Sequence, residues 1–153
     1  MTQIIIREAI KNDLKAIKSL LDSASLPSVD FDKHLLNFLV LEKSGILTGT
    51  IGMELYENTA LLRSLAIQKD DRNKGYGKEL YYALISKAKK MNVNNIYLLT
   101  ETAEGFFSEE GFQKIARELV PLSIKQTNEY STLCPEGAVC MVKELYEETS
   151  MTP

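Results

Sequence analysis

The sequence predicts an α/β (α+β) domain, a mixed central sheet of about six to seven strands with flanking helices. Three observations carry this. Apolar stretches at 38–42 and 46–55 meet at Ser44-Gly45, a hairpin signal that sets antiparallel strands side by side. The stretch 60–80, ALLRSLAIQKDDRNKGYGKEL, runs from a short apolar strand through a charged, glycine-bearing turn into a helical pattern. A second strand and helix follow at 96–110, and a strand–helix–strand crossover within one sheet has to be parallel.

Taken in order, residues 3–7 (QIIIR) read as the first strand. Asn12 then stands as the cap of an amphipathic helix with Leu14, Ile17, Leu20 and Leu21 on its apolar face. The Ser, Pro and Asp content of 23–32 marks a loop, and a short helical turn is expected around 33–36. After the hairpin, Glu57-Asn58 turns the chain into a strand over 59–67. Leu80, Tyr81, Leu84, Ile85, Ala88 and Met91 form one stripe on a helix over 77–91, ended by Asn92. A strand at 96–100 and a short helix at 103–110 lead to Gly111, placed for a left-handed cap. Extended structure is expected at 112–117, a helix with Pro121 in its first turn over 118–129, and a last strand over 138–145. One domain should span 1–146, with 147–153 as a frayed tail.

The 153 residues suffice for one core, and 44% hydrophobic with 25% charged residues is an ordinary globular balance. No apolar run approaches the ~20 residues of a membrane span, and the N-terminal MTQIIIREAIKND lacks a signal-peptide layout. The cytoplasm is therefore the expected compartment, with no membrane partner. A net charge of −3 argues against nucleic acid as a partner. The charge is unevenly spread. Between 69 and 90, Lys69, Arg72, Lys74, Lys78, Lys87, Lys89 and Lys90 outnumber Asp70, Asp71 and Glu79. Lys87, Lys89 and Lys90 read as a solvated helix face, whereas Arg72, Lys74 and Lys78 sit at the glycine turn, where a polyanion would want them. Cys134 and Cys140 lack zinc-site spacing and the single histidine, His34, is remote from them in sequence. No metal is expected, and the thiols read as buried and reduced.

Strand, glycine-bearing turn and helix N-terminus make a diphosphate site. The first amides of a helix lack intrahelical acceptors, and the positive end of the dipole favours an anion. Gly75 and Gly77 let the backbone approach phosphates with no Cβ in the way. Two other phosphate loops are excluded: the dinucleotide fingerprint needs a glycine where Leu80 stands, and the nucleotide P-loop needs Ser or Thr where Glu79 follows Lys78.

What fits is Arg/Gln-x-x-Gly-x-Gly/Ala after a strand, met by Arg72-Asn73-Lys74-Gly75-Tyr76-Gly77 with LLRSLAI before it and FFSEEGF downstream. This resembles the acetyl-CoA loop of the GNAT acetyltransferase superfamily, and the resemblance covers nearly the whole chain. It implies a single-domain GNAT fold, acetyl-CoA as co-substrate, and acetyl transfer to a small-molecule amine by direct attack on the thioester. It also implies that Arg72, Asn73, Lys74, Gly75, Tyr76, Gly77 and Lys78 hold the pyrophosphate. The backbone N–H of Leu65 would meet the thioester oxygen as it gains charge, and the backbone of Ala66 and Ile67 would pair with the pantetheine. A homodimer is left open. Two positions depart from the common pattern. Gly111-Phe112 places Phe107 where many members carry a tyrosine for the leaving thiolate, and Thr100 stands for a frequent Asn. Phenylalanine cannot donate a proton, so the implied contact of Phe107 with the cofactor is one of packing.

A narrower resemblance coincides with those departures. LLTETAEGFFSEEGF followed by ELVPLSIKQTNEY and AVCMVKEL resembles the acetyltransferase domain of N-acetylglutamate synthases. It is more similar still to the small GNAT enzymes of arsenic-resistance operons, with their LLRSLA strand and a Leu-Cys-Pro before the final strand. Both imply a free amino acid or amino-acid-like acceptor. Members of the arsenic group, or their relatives, acetylate amino acids bearing arsinic or phosphinic acid groups, so detoxification of such a compound is an implied task. The synthase's arginine before the last strand is unmatched, since Leu133-Cys134-Pro135 lies there. Direct binding of trivalent arsenic by Cys134 and Cys140 would lack a third thiolate.

An amino-acid acceptor needs a cation for its carboxylate. Arg63 is the first candidate, sharing a face of an alternating strand with Leu61 and Leu65, where an unpaired charge is expensive. Ser64 is expected to face the other way and pack. Arg117 and Lys125 are candidates for a distal acid group. As the base, Glu54 comes first and Glu101 second; His34 suits the chemistry, although a lone histidine is more often structural. The demand on the base depends on the acceptor. Deprotonating a lysine amine at pH 7 costs about 4.6 kcal/mol, an α-amine of pKa ~8 only about 1.4. The competing reading, favoured by the missing tyrosine, is a catalytically weak GNAT-fold sensor or interaction module that binds CoA without turnover.

Overall fold

Ser44 and Gly45 take φ values of 51° and 84°, the left-handed pair a tight hairpin turn needs. They join β2 (Phe38–Lys43) to β3 (Ile46–Tyr56), and β1 (Ile4–Glu8) lies antiparallel to β2. β4 (Thr59–Ile67) follows a turn at Glu57, whose φ is 59°. β5 (Asn95–Thr100) runs parallel to β4, and β7 (Val139–Glu144) pairs antiparallel with both β5 and the short β6 (Gln113–Lys114). The order β1-β2-β3-β4-β5-β7-β6 is the mixed, seven-stranded sheet that the sequence predicts. These features belong to a computed structural model that describes residues 3–133 and 138–145. Cys134, Pro135 and the tail expected at 147–153 lie outside the described residues.

Three of the helices end by one device. In α1 (Leu14–Ser23), α2 (Tyr76–Lys90) and α3 (Glu104–Glu109), the residue after the cap is left-handed: Ser25, Asn92 and Gly111. The next amide then reaches back five residues, Leu26 to Leu21, Val93 to Ala88 and Phe112 to Phe107, capping carbonyls that would otherwise be orphaned. Asn92 and Gly111 were legible as stops; Ser25 was not, because serine carries no strong left-handed preference.

Several expectations are corrected. Asn12 is not the cap of α1. Lys11–Asp13 form a 3-10 turn, and the Asp13 carboxylate accepts from the Ile10 amide at 2.8 Å. The expected helix over 118–129 breaks into a 3-10 turn at Arg117–Leu119, α4 (Leu122–Lys125) and α5 (Asn128–Leu133). Pro121 is extended, and Thr127 divides the rest: its hydroxyl donates to the Ile124 carbonyl at 2.7 Å and accepts from the Tyr130 amide at 3.0 Å. Only Gln113–Lys114 of the extended stretch 112–117 is strand.

The chain divides into two compact units. In the first, Met1–Glu54 with Arg63–Lys87, the α1 residues Ile17, Leu20 and Leu21 pack with Phe31, Phe38, Val40 and Ala66. Phe38 and Gly52 are cross-strand partners, and the Phe38 ring fills the space a Cβ on residue 52 would need. In the second, Leu55–Leu62 with Ala88–Pro153, the core gathers Leu61, Leu99, Val120, Ile124, Ala138 and the buried side chain of Cys140. Burying each large apolar side chain stabilises the fold by about 1.5–3 kcal/mol.

Candidate active site

Between the end of β4 and the start of α2, the backbone turns left-handed twice, at Asn73 (φ 63°) and Gly75 (φ 86°). Alternating handedness of this kind turns successive N–H groups toward one concavity, a shape that suits an anion. The helical hydrogen bonds begin with Glu79 N–H to the Gly75 carbonyl at 3.1 Å, so the amides of Tyr76, Gly77 and Lys78 precede the ladder. Tyr76 is buried and anchors this first turn, while Arg72, Asn73, Lys74, Gly75 and Lys78 are exposed. No atom lies within 4 Å of where a Cβ would stand on Gly75 or Gly77. Gly75 answers to its left-handed φ. Gly77 has no such need, and a helical glycine costs about 0.5–1 kcal/mol against alanine. Nothing in the surrounding chain requires a glycine there.

The turn is braced from below. Asp71 pairs with Lys43, from the hairpin, and with Lys74 at 3.3 Å. The Lys43 hydrogen bond is the main reason that the Asp71 carboxyl lies below its ordinary range and the Lys43 ammonium above. Arg72 donates from Nε to the Ile67 carbonyl at 3.0 Å, which folds its fork back over the strand end. Lys43 carries no local sequence signal for this role, because the contact joins residues 28 apart.

Arg63 does not sit as the sequence suggests. Its Nη1 donates to Glu54 Oε2 at 2.7 Å, its Nε to Ser64 Oγ at 3.0 Å, and its Nη2 to the carbonyls of Pro27 and Val29 at 3.3 Å each. The side chain is fully buried, and the unpaired guanidinium on which its expected substrate role rested is in fact paired. The strand parity fails too. Ser64 has a φ of 63°, which breaks the pleat as a bulge residue does, so the alternation linking Arg63 to Leu65 does not run through it. That kink is also why neighbouring side chains meet: in a regular strand Arg63 and Ser64 would point to opposite faces. Glu54, the first candidate for the base, is equally buried. Its Oε1 lies 3.4 Å from Nε2 of His34, the partner that sequence reasoning left as structural.

Residues 7–112 match the Acetyltransferase (GNAT) family. The chain belongs to that family. It is an acetyl-CoA-dependent N-acetyltransferase by that membership. An uncharacterised N-acetyltransferase of Chlorobaculum tepidum is 31% identical over 118 residues, 74% of this chain and 74% of that protein. An amino-acid acetyltransferase of Neisseria meningitidis is 25% identical over 59% of this chain, but the match spans only 21% of that longer protein. In fold, the N-acetylglutamate synthase of Neisseria gonorrhoeae, solved with coenzyme A and N-acetyl-glutamate, superposes with a TM-score of 0.82 at 22% identity. That likeness covers 95% of this chain and 36% of the synthase. Rv2747 of Mycobacterium tuberculosis, solved with CoA, gives 0.78 at 20% identity, covering 93% and 99% of the two chains.

Leu65, Ala66 and Ile67 of this GNAT enzyme lie on β4 in its first unit, and the other sequence candidates fall in the second. Phe107 is buried and packs edge-on against Phe106 and Phe112, with ring centroids 5.0 and 5.4 Å away. Thr100 accepts the Ala103 amide at 2.8 Å, so it shapes the entry to α3. Arg117 donates from Nη2 to the Ala138 carbonyl at 3.2 Å, and Lys125 is half-buried in α4. Glu101 is exposed. Among the described residues, no group of three or more His, Cys, Asp or Glu is placed to hold a metal, and no helix is long and apolar enough to cross a membrane.

Proposed function

We propose that this enzyme moves the acetyl group of acetyl-CoA to the amine of a small amino-acid-like substrate by direct attack on the thioester. The observation that carries the cofactor side is Gly77: a helix-starting glycine with open space around it, beside amides that precede the hydrogen-bond ladder. Such a position suits close approach by a diphosphate, with Arg72, Lys74 and Lys78 supplying charge. Asn73, Gly75 and Tyr76 shape the same turn. The Leu65 N–H is then the donor to the thioester oxygen, with Ala66 and Ile67 beside the pantetheine. The acceptor class is supported by relatives named as amino-acid acetyltransferases. Because Arg63 is committed to Glu54, Arg117 and Lys125 remain the candidates for an acceptor's acid group. The acceptor to try first carries an arsinic or phosphinic acid on an amino-acid frame, following the resemblance of the LLRSLA strand.

Thiol release from acetyl-CoA, measured across free amino acids, arsinic and phosphinic analogues, polyamines and peptide N-termini, tests this. Turnover should concentrate on the amino-acid-like acceptors. Turnover confined to polyamines or peptides would overturn the acceptor class. Tight acetyl-CoA binding without thiol release from any amine would instead favour a CoA-binding sensor, the reading to which the missing tyrosine at Phe107 points.

A further inference from the structure

In the first unit, a guanidinium, a carboxylate and an imidazole stand in line. Arg63 holds Glu54 Oε2 at 2.7 Å, and Glu54 Oε1 faces His34 Nε2 at 3.4 Å. Their side chains differ in access: Arg63 is 0% exposed, Glu54 4% and His34 22%. The imidazole is therefore the member of the line that a diffusing substrate can reach.

We propose that His34 takes the proton released by the attacking amine, with Glu54 as the positioning residue behind it. The proposal rests on the acetyl-transfer reading above. Glu54 Oε1 lies on the Nε2 side of the ring, and a carboxylate so placed orients the imidazole. In the step, the amine lone pair forms a C–N bond at the thioester carbonyl carbon. The C–S bond breaks with its electron pair going to the CoA sulfur, and the proton leaving the amine nitrogen is bound by the His34 imidazole. The imidazolium so formed faces the negative charge of Glu54. Return of that proton to the thiolate or to water resets the ring.

The backbone supports the same assignment. His34 lies at the kink (φ −112°, ψ 17°) of the 3-10 segment Phe31–Asn37. The stretch leading into that segment is pinned by Arg63 Nη2 on the Pro27 and Val29 carbonyls, and the segment itself by Lys87 Nζ on the Leu36 carbonyl at 2.6 Å. One guanidinium thus places both the carboxylate and the loop that carries the imidazole. Arg63 also stands two residues before Leu65, the proposed oxyanion donor, so one stretch of β4 serves both ends of the reaction. Holding a proton acceptor in place before substrate arrives is where such scaffolding acts on rate.

His34→Gln and His34→Ala are compared with wild type by thiol release on the best acceptor, and by calorimetry with acetyl-CoA. The expected result is a fall in kcat of about 100-fold or more, with acetyl-CoA KM and affinity within twofold of wild type. Added imidazole should restore part of the lost rate to His34→Ala. Glu54→Gln should lower kcat, and the Glu54→Gln/His34→Gln pair should be no slower than the worse single variant. Since His34 is the chain's single histidine, diethyl pyrocarbonate offers a test that needs no variant to fold. One imidazole modified should abolish turnover, spare acetyl-CoA binding, and be reversed by hydroxylamine. A His34→Gln kcat within threefold of wild type, or a loss that neither imidazole nor hydroxylamine restores, overturns the proposal. A wild-type enzyme that binds acetyl-CoA yet acetylates no amine fails earlier, at the acetyl-transfer reading, and His34 falls with it.

Discussion

Nη1 of Arg63 donates to Oε2 of Glu54 across 2.7 Å, and neither side chain is more than 4% exposed. A buried pair of this kind is defined less by what it adds than by what its breakage exposes. Removing one partner leaves the other charge desolvated, a loss of about 3–5 kcal/mol, whereas replacing both by apolar groups is often tolerated. Arg63→Met and Glu54→Leu should therefore each lower the urea midpoint strongly, and the double variant less than either alone. Single variants within about 1 kcal/mol of wild type would show that the pair is not the anchor described here.

Acid should act on the first unit through Asp13. Its carboxylate receives Arg7 Nη1 and Nη2 at 2.8 and 3.0 Å, and those hydrogen bonds are the main cause of a pKa below the ordinary value. Because the folded value is depressed, the stabilisation is complete above the unfolded carboxyl's ~3.9. It is lost as pH falls below that, through the folded value. Denaturation midpoints should fall on acidification below about pH 4, and Asp13→Asn should flatten that fall. Equal acid sensitivity in the variant would contradict it.

Phe107 should matter for packing rather than proton transfer. Its two edge-on ring neighbours make Phe107→Ala a cavity mutation, costing about 3–5 kcal/mol. Phe107→Tyr should leave turnover within several-fold. A Phe107→Leu enzyme that keeps its melting temperature and acetyl-CoA affinity but loses turnover would contradict this.

The sheet and the glycine-bearing turn were legible because each rests on local chemistry. Ser44-Gly45 announces a hairpin, Gly75 and Gly77 open a helix, and Asn92 and Gly111 stop one. The Arg63–Glu54–His34 line was not legible. It joins three chain segments 9 and 20 residues apart, and it depends on the left-handed turn of Ser64, a residue with no sequence mark of such a backbone. Strand parity assumes an unbroken pleat, so one bulge was enough to send Arg63 to a partner inside the protein. The break at Thr127 was missed for a related reason. Its hydroxyl competes for backbone groups on both sides, while the apolar spacing around it reads as one continuous helix.

The two glycines of the turn separate folding from binding. Gly75 is left-handed, so Gly75→Ala should destabilise by about 1–2 kcal/mol through its backbone alone. Gly77 is not, and a methyl there meets open space. Gly77→Ala should therefore hold or raise stability, by up to about 0.5–1 kcal/mol, while placing a carbon where a diphosphate would approach. Gly77→Asp adds a negative charge at the same point and should weaken acetyl-CoA binding more than tenfold, about 1.4 kcal/mol, with the fold intact. Calorimetry with acetyl-CoA, paired with thermal melting of each variant, checks both halves. Loss of affinity in Gly77→Asp without loss of melting temperature assigns the glycine to the ligand. Unchanged affinity in Gly77→Asp would move the pyrophosphate away from this helix and remove the physical basis of the cofactor site.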